Sequence, residues 1–215
     1  MTTIAIPSSP TTVTRRPATY EEYLAQASET RIAEWVDGEM IEHMPPSIEH
    51  QDLTGFLYRL TAAFVSEVGF GKVVIAPSEV KLWPDGPSRE PDLFVVREDR
   101  LDRFDQWRFN GAPDLVVEVV SPGSVREDRV RKFSEYEQAG VLEYWLVDPR
   151  PNLHTVECYR RDAAGIFQPV EADESGRLVS SVLAQRETRF WIHVDWLWQE
   201  PLPRVQGLLG EMTGG

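Results

Sequence analysis

Residues 111–122 read GAPDLVVEVVSP. The apolar part of that string, Leu115 to Val120, has the length and β-branched content of a strand buried on both faces. Glu118 interrupts it. An unpaired carboxylate in such surroundings is strongly unfavourable. The sequence therefore tolerates Glu118 only where a cation or strong donors meet it, where the strand lies at a sheet edge, or where an arginine pairs with it. Asp114 falls on the same strand, and because strand side chains alternate it shares the face of Val116 and Glu118. It either joins the same site or only caps the strand start after Gly111-Ala112-Pro113.

Working upstream, PDLFVV (91–96) is a second apolar strand, entered through Pro91. Asp92 points with Phe94 and Val96. Alone it reads as a turn residue. Beside Glu118 on a neighbouring strand it gains another meaning, because two adjacent carboxylates repel unless a hard cation lies between them. Oxygen ligands select magnesium, manganese or calcium over zinc.

Downstream, Pro122 is followed by a polar helix expected over Glu127 to Gln138 and closed by Gly140. Asp128, Lys132 and Tyr136 recur at four-residue spacing on one side of it. Val130 and Phe133 mark its expected buried face, with Lys132 near the margin. A lysine there can reach over the strand ends, to orient an attacking water or steady developing charge. The alternative is a solvated lysine paired with Asp128 or Glu135. EYWLVDP (143–149) then reads as a buried strand.

The outer parts frame this centre. Thr19 and Glu22 have capping-box spacing and open a short helix, YEEYLAQAS. Asp37-Gly38 suits a two-residue hairpin turn, with Glu34 just before it. Ser47 is placed to cap a long helix from Ile48 to Val68, whose Leu53, Phe56, Leu57, Leu60 and Phe64 make one buried face and which Gly69 ends. His50 lies in its first turn. KVVIAPSEVKLW is a strand candidate that contains Glu79, and residues 97–112 read as a charged loop with room for one helical turn. After 149, HTVECYRR, IFQPVEA and GRLVSSV form a closing antiparallel meander, and RFWIHVDWLW is a last strand or short helix. The order predicts an α/β fold: a mixed central sheet flanked by helices, with C-terminal antiparallel strands. One domain is expected over 19–200, between a loose tail at 1–18 and another at 201–215.

Composition narrows the function. With 41% hydrophobic and 27% charged residues the chain is an ordinary globular one. A formal net charge of −13 disfavours broad, non-specific contact with phosphate backbones. Cys158 is the single cysteine, so neither an intrachain disulfide nor a thiolate zinc site can form, which fits a reducing cytoplasm. The first residues lack the apolar run of a signal peptide, and no membrane-spanning apolar stretch is present. Neither a glycine-rich phosphate loop nor a Gly-x-Ser-x-Gly elbow occurs.

Four strings together resemble one family: EPDLFVV, GAPDLVVEVVSP, RKFxxYxxAGV and EYWLVDP. They are similar to the Uma2 family, classed among endonucleases of the PD-(D/E)XK superfamily and common in bacteria, especially cyanobacteria. TYEEY at 19–23, Glu34 with Asp37-Gly38-Glu39, and His50-Gln51 extend the likeness over roughly residues 18 to 195. The resemblance implies a restriction-endonuclease-like core in which Asp92 and Glu118 ligate the metal and Glu34 is the acidic residue upstream. The superfamily pattern places a lysine two residues after the glutamate, where this chain has Val120. Lys132 matches the lysine of the following helix, as in migrated-lysine variants.

The combined expectation is metal-dependent hydrolysis of nucleic-acid phosphodiesters, DNA before RNA. Asp92, Glu118 and Lys132 are the catalytic set. Asp92 and Glu118 hold Mg2+ or Mn2+, and Glu34, His50 and Asp114 support them. A cytoplasmic homodimer is the default assembly. The competing class is a nuclease fold that binds or regulates without cutting, which the −13 charge and Val120 favour. A third is hydrolysis of a small anionic substrate.

Overall fold

The computed structural model describes residues 13–27 and 32–213. The first described elements are β1 (Thr14–Pro17), α1 (Tyr20–Ala27) and the hairpin of β2 (Ala33–Val36) and β3 (Glu39–Glu42). Asp37 and Gly38 turn that hairpin with φ of 50° and 80°, the left-handed pair a two-residue turn requires. Helix α2 (Ile48–Val68) starts where Ser47 accepts the His50 N–H at 3.2 Å, and it ends at left-handed Gly69. Next come β4 (Gly71–Ile75), β5 (Glu79–Lys81), β6 (Ser88–Arg89), β7 (Leu93–Arg97), β8 (Arg108–Asn110) and β9 (Leu115–Val119). A π-helical turn, Glu127–Lys132, runs into α3 (Phe133–Ala139). The remainder is β10 (Glu143–Asp148), β11 (Thr155–Arg161), β12 (Phe167–Val170), β13 (Arg177–Gln185), β14 (Thr188–His193) and α4 (Val205–Thr213).

The fold is mixed α/β, with the strands shared between two six-stranded sheets, ordered β1-β3-β2-β6-β5-β8 and β12-β11-β10-β9-β7-β4, and the hairpin β13-β14. KVVIAPSEVKLW is therefore not one strand. It breaks at Pro77-Ser78, and β4 joins the second sheet while β5 joins the first. In the second sheet β7 and β9 are antiparallel, with Leu93 opposite Val117 and Phe94 opposite Val116. β9 and β10 are parallel.

Alternation divides this sheet between two cores. Leu93, Val95, Val117, Val119 and Trp145 face α2, α4 and β14. Phe94, Val116, Val120 and Tyr144 face the other way, toward Tyr136 of α3 and Val80 and Phe109 of the first sheet. Glu118 falls on that second face by parity with Val116 and Val120.

Three expectations need correction. The expected tail at 201–215 is structured over its described part, where α4 buries Leu208 and Met212 in the first core; residues 214 and 215 lie outside the described residues. The four-residue spacing of Leu208 and Met212 gives the segment an apolar face to bury. The expected tail at 1–18 is structured where it is described, because β1 extends the first sheet and pairs Thr14 with Glu42; residues 1–12 lie outside the described residues. Val130 is 58% exposed rather than buried, while Asp128 and Lys132 are buried. Among the described residues no helix is long and apolar enough to cross a membrane.

Candidate active site

The register Leu93↔Val117 continues one step outward to set Asp92 opposite Glu118, on the face both share. This pair lies in the wall of a cavity of about 470 Å³ that Glu34, His50, Glu90 and Lys132 also line. Glu118 is 2% exposed. Its Oε1 accepts from Lys132 Nζ at 2.9 Å and from the Tyr136 hydroxyl at 2.8 Å. Among the described residues its Oε2 has only the Asp92 N–H, at 3.5 Å. Asp92 Oδ2 accepts from the Val119 N–H at 2.8 Å and lies 3.2 Å from His50 Nε2.

The helix delivers two more charges. Lys132 Nζ touches Glu34 Oε1 at 3.2 Å and Asp128 Oδ1 at 3.7 Å as well as Glu118. Asp128 and Lys132 both belong to the π-helical turn, a geometry that recurs at functional sites because it re-aims side chains out of the α-helical register. Glu34, 1% exposed on β2, uses Oε1 for Lys132 and the Glu90 N–H and Oε2 for Arg89 Nη1 and His43 Nε2.

Burial and crowding of like charges set the protonation preferences. Burial pushes the Glu118 carboxyl up to about 8; Lys132 opposes this, and Asp92, Asp128 and Glu34 add to it. Burial likewise raises Asp128 to about 6, against the pull of Lys132. Glu90 rises to about 8 through burial and the charge of Glu34. Burial acts against charging Glu34 too, but Lys132 and Arg89 outweigh it and hold this carboxyl well below the ordinary range. For Lys132 burial is overcome by Glu118, Glu34 and Asp128, so the ammonium stays protonated. For His50 burial is overcome by Asp92, and its pKa rises.

The donor set fits a hard divalent cation. Among the described residues neither Glu90 Oε2, a buried acceptor, nor Asp92 Oδ1 has a hydrogen-bond partner. Burial first, and neighbouring carboxylates second, keep Glu118, Asp128 and Glu90 from charging, and a divalent cation would favour their charged forms. Among the described residues no group of three or more His, Cys, Asp or Glu forms a ready-made metal cage. Two carboxylates completed by water and substrate oxygens are how magnesium is usually held.

The Uma2 family model, described as "Putative restriction endonuclease", matches residues 18–193. The chain belongs to the Uma2 family. A similar solved structure is that of a protein described as a "putative nuclease belonging to DUF820" from Anabaena variabilis ATCC 29413. It is 20% identical, with a TM-score of 0.61 over 77% of this chain and 89% of that one, a likeness of fold. No curated protein matches.

In this Uma2 chain Asp92, Glu118, Lys132, Glu34 and His50 come together. Asp114 does not. It sits at the far end of β9, fully buried, where its carboxylate accepts from the Arg97 N–H and Arg100 Nη1, both at 2.9 Å. Of its two readings, the strand-start role fits. Asp114→Ala is expected to cost about 2–3 kcal/mol, less than breaking a fully buried pair because Arg97 can rehydrate. Calorimetry should show a lower Tm with any metal-induced stabilisation intact. Glu79 is also elsewhere, accepting from the Tyr20 and Ser88 hydroxyls at 2.6 Å. Sequence reasoning missed Arg89, Glu90 and His43, and it placed Asp128 on the side of Lys132 and Tyr136 without giving it a part in the site. The available signal was Arg89-Glu90 directly before Pro91-Asp92, two charges leading into an apolar strand.

Proposed function

We propose that this Uma2 protein is a metal-dependent endonuclease that hydrolyses phosphodiester bonds of nucleic acid, DNA before RNA. The observation that carries the reading is Asp92 set opposite Glu118 in a cavity wall, with the Lys132 ammonium 2.9 Å from Glu118. Asp92 and Glu118 would hold the cation, Mg2+ or Mn2+. Bound there, such a cation supplies Lewis acidity toward the phosphate and lowers the pKa of a water.

The remaining work falls to the chain. The Val119 N–H and His50 fix the plane of Asp92 through Oδ2, which leaves Oδ1 available. Tyr136 and Lys132 do the same for Glu118 through Oε1, which leaves Oε2. Lys132 brings positive charge to the place where negative charge develops on the phosphate. Glu118, Glu34 and Asp128 keep that ammonium protonated, and Glu34 helps to aim it. The assembly carried with this reading is a cytoplasmic homodimer.

A non-cutting, nucleic-acid-binding or regulatory role is the second reading. Val120 at the usual lysine position and the −13 charge favour it. Incubation of supercoiled and linear DNA with magnesium or manganese separates the two. The nuclease reading expects cleavage by wild type that chelation stops and that Asp92→Ala and Glu118→Ala both remove. Cleavage surviving both substitutions, or no cleavage together with no metal-induced rise in Tm, would overturn it.

A further inference from the structure

Arg89 is among the largest fully buried side chains of the molecule, at 0% exposure. Burying a guanidinium is costly unless its donors are matched by well-placed carboxylates. Here Nε and Nη2 fork onto Glu135 at 2.6 and 2.7 Å, and Nη1 reaches Glu34 and Glu127, each at 2.9 Å. Burial acts against its charge, but Glu34, Glu135 and Glu127 prevail and hold its pKa well above the ordinary value.

The three partners share a geometric relation to Lys132. Glu127 opens the π-helical turn and Glu135 follows in α3, so Arg89 grips the helix on both sides of Lys132. Glu34 takes Arg89 on Oε2 and Lys132 on Oε1. Arg89 itself is anchored in β6, between β2 and β5, and leads through Glu90-Pro91 into Asp92. One side chain thus ties the strand run that carries Asp92 to the helix that carries Lys132.

We infer that Arg89 is a positioning residue: by clamping Glu127, Glu135 and Glu34 it holds the π-helical turn so that the Lys132 ammonium meets Glu118. The inference rests on the nuclease reading for its kinetic consequence, and on geometry alone for the placement of Lys132. A lysine could not replace it, because an ammonium is a point charge and cannot fork onto Glu135 while reaching two further carboxylates.

The chain has three lysines, Lys72, Lys81 and Lys132, so the side-chain ammonium resonances of 15N-labelled full-length protein form a small set. Buried, hydrogen-bonded ammonium groups exchange slowly enough to be seen. Lys81, 5% exposed and donating to the Gly86 carbonyl at 2.6 Å, is an internal control for intact folding. Two variants are compared with wild type. Arg89→Lys keeps the charge and loses the fork. Glu135→Gln is the milder change, keeps Arg89 in place, and decides the matter if Arg89→Lys does not fold.

Both are expected to shift or broaden the Lys132 resonance while that of Lys81 stays. In the cleavage assay kcat should fall between about tenfold and a hundredfold with KM little changed, since neither residue touches substrate. In a Lys132→Gln background Glu135→Gln should change kcat by less than about twofold, because the group it positions is gone. An unchanged Lys132 resonance in Glu135→Gln, with the Lys81 signal intact, overturns the inference. If wild type cleaves nothing, the nuclease reading fails while the resonances still decide the role of Arg89.

Discussion

Glu118→Gln should lower cleavage on the order of 10³-fold or more and yet leave the metal-free protein as stable as wild type, or more so, near pH 8. The amide keeps the shape and still accepts from the Tyr136 hydroxyl and from Lys132, which retains Glu34 and Asp128 as counter-ions. What disappears is a charge that burial, Asp92, Asp128 and Glu34 together disfavour more than Lys132 favours it. The linkage has a definite sign. The folded carboxyl titrates at about 8 against an ordinary 4.5, so the folded chain holds a proton that the unfolded chain releases. Its contribution to stability is therefore present below 4.5 and is lost as pH rises toward 8. Metal-free wild type should lose Tm across that interval more steeply than the Gln variant. Manganese added near pH 8 should restore Tm in wild type and do little to the variant, because a cation neutralises only the charge that is there. Undiminished cleavage by Glu118→Gln, or a Tm well below wild type near pH 8, would show that Glu118 is a structural carboxylate and not a cation ligand.

The strand pair at the centre of this argument was readable in the sequence because its signal is local. A glutamate inside Leu115–Val120 and an aspartate directly after Pro91 are anomalies of pattern, and alternation alone assigns both to the face that the structure confirms. The capped helix α2 and the Asp37-Gly38 hairpin were readable for the same reason: caps and turns are chemistry between near neighbours. Lys132 was half readable. Four-residue spacing put it beside Asp128 and Tyr136, but an α-helical projection buried Val130 and left the lysine at the margin. The π-helical turn over Glu127–Lys132 changes that projection, and carboxylates of other elements make burial of the lysine tolerable. Neither has a signature inside the helix. Arg89 was not readable at all, since its partners lie 38 to 55 residues away and only the fold brings them together. Asp114 shows the converse. Parity put it on the face of Glu118, but position along β9 gave it to Arg97 and Arg100 at the other end. Sequence pattern reports which face a side chain takes more surely than which end of the element matters.

Lys132→Met carries the largest expected loss of stability. Methionine fills a similar volume and removes the ammonium that Glu118, Glu34 and Asp128 share. Breaking a buried ion pair from one side costs about 3–5 kcal/mol where the partners keep their charge without compensation, which for Glu118 and Asp128 means at about pH 8 and above. For a chain of this size that corresponds to a fall in Tm of roughly 6–20 °C. A solvated helix lysine, the alternative that the sequence left open, would change stability by less than about 0.5 kcal/mol. The two readings are thus separated by far more than the error of a melting curve. The loss should shrink as pH falls, since Asp128 and Glu118 have raised pKa values of about 6 and 8 and become neutral early. It should also shrink when Glu118→Gln is added, because one of the stranded charges is then gone, and when manganese is supplied, because a cation at Asp92 and Glu118 offsets part of what the lysine offset. Cleavage should fall on the order of 10²- to 10³-fold, as for loss of one preorganised electrostatic group. A Tm within about 2 °C of wild type, insensitive to pH and to manganese, would mean that the lysine does not compensate these carboxylates, and the site would lose its cationic partner.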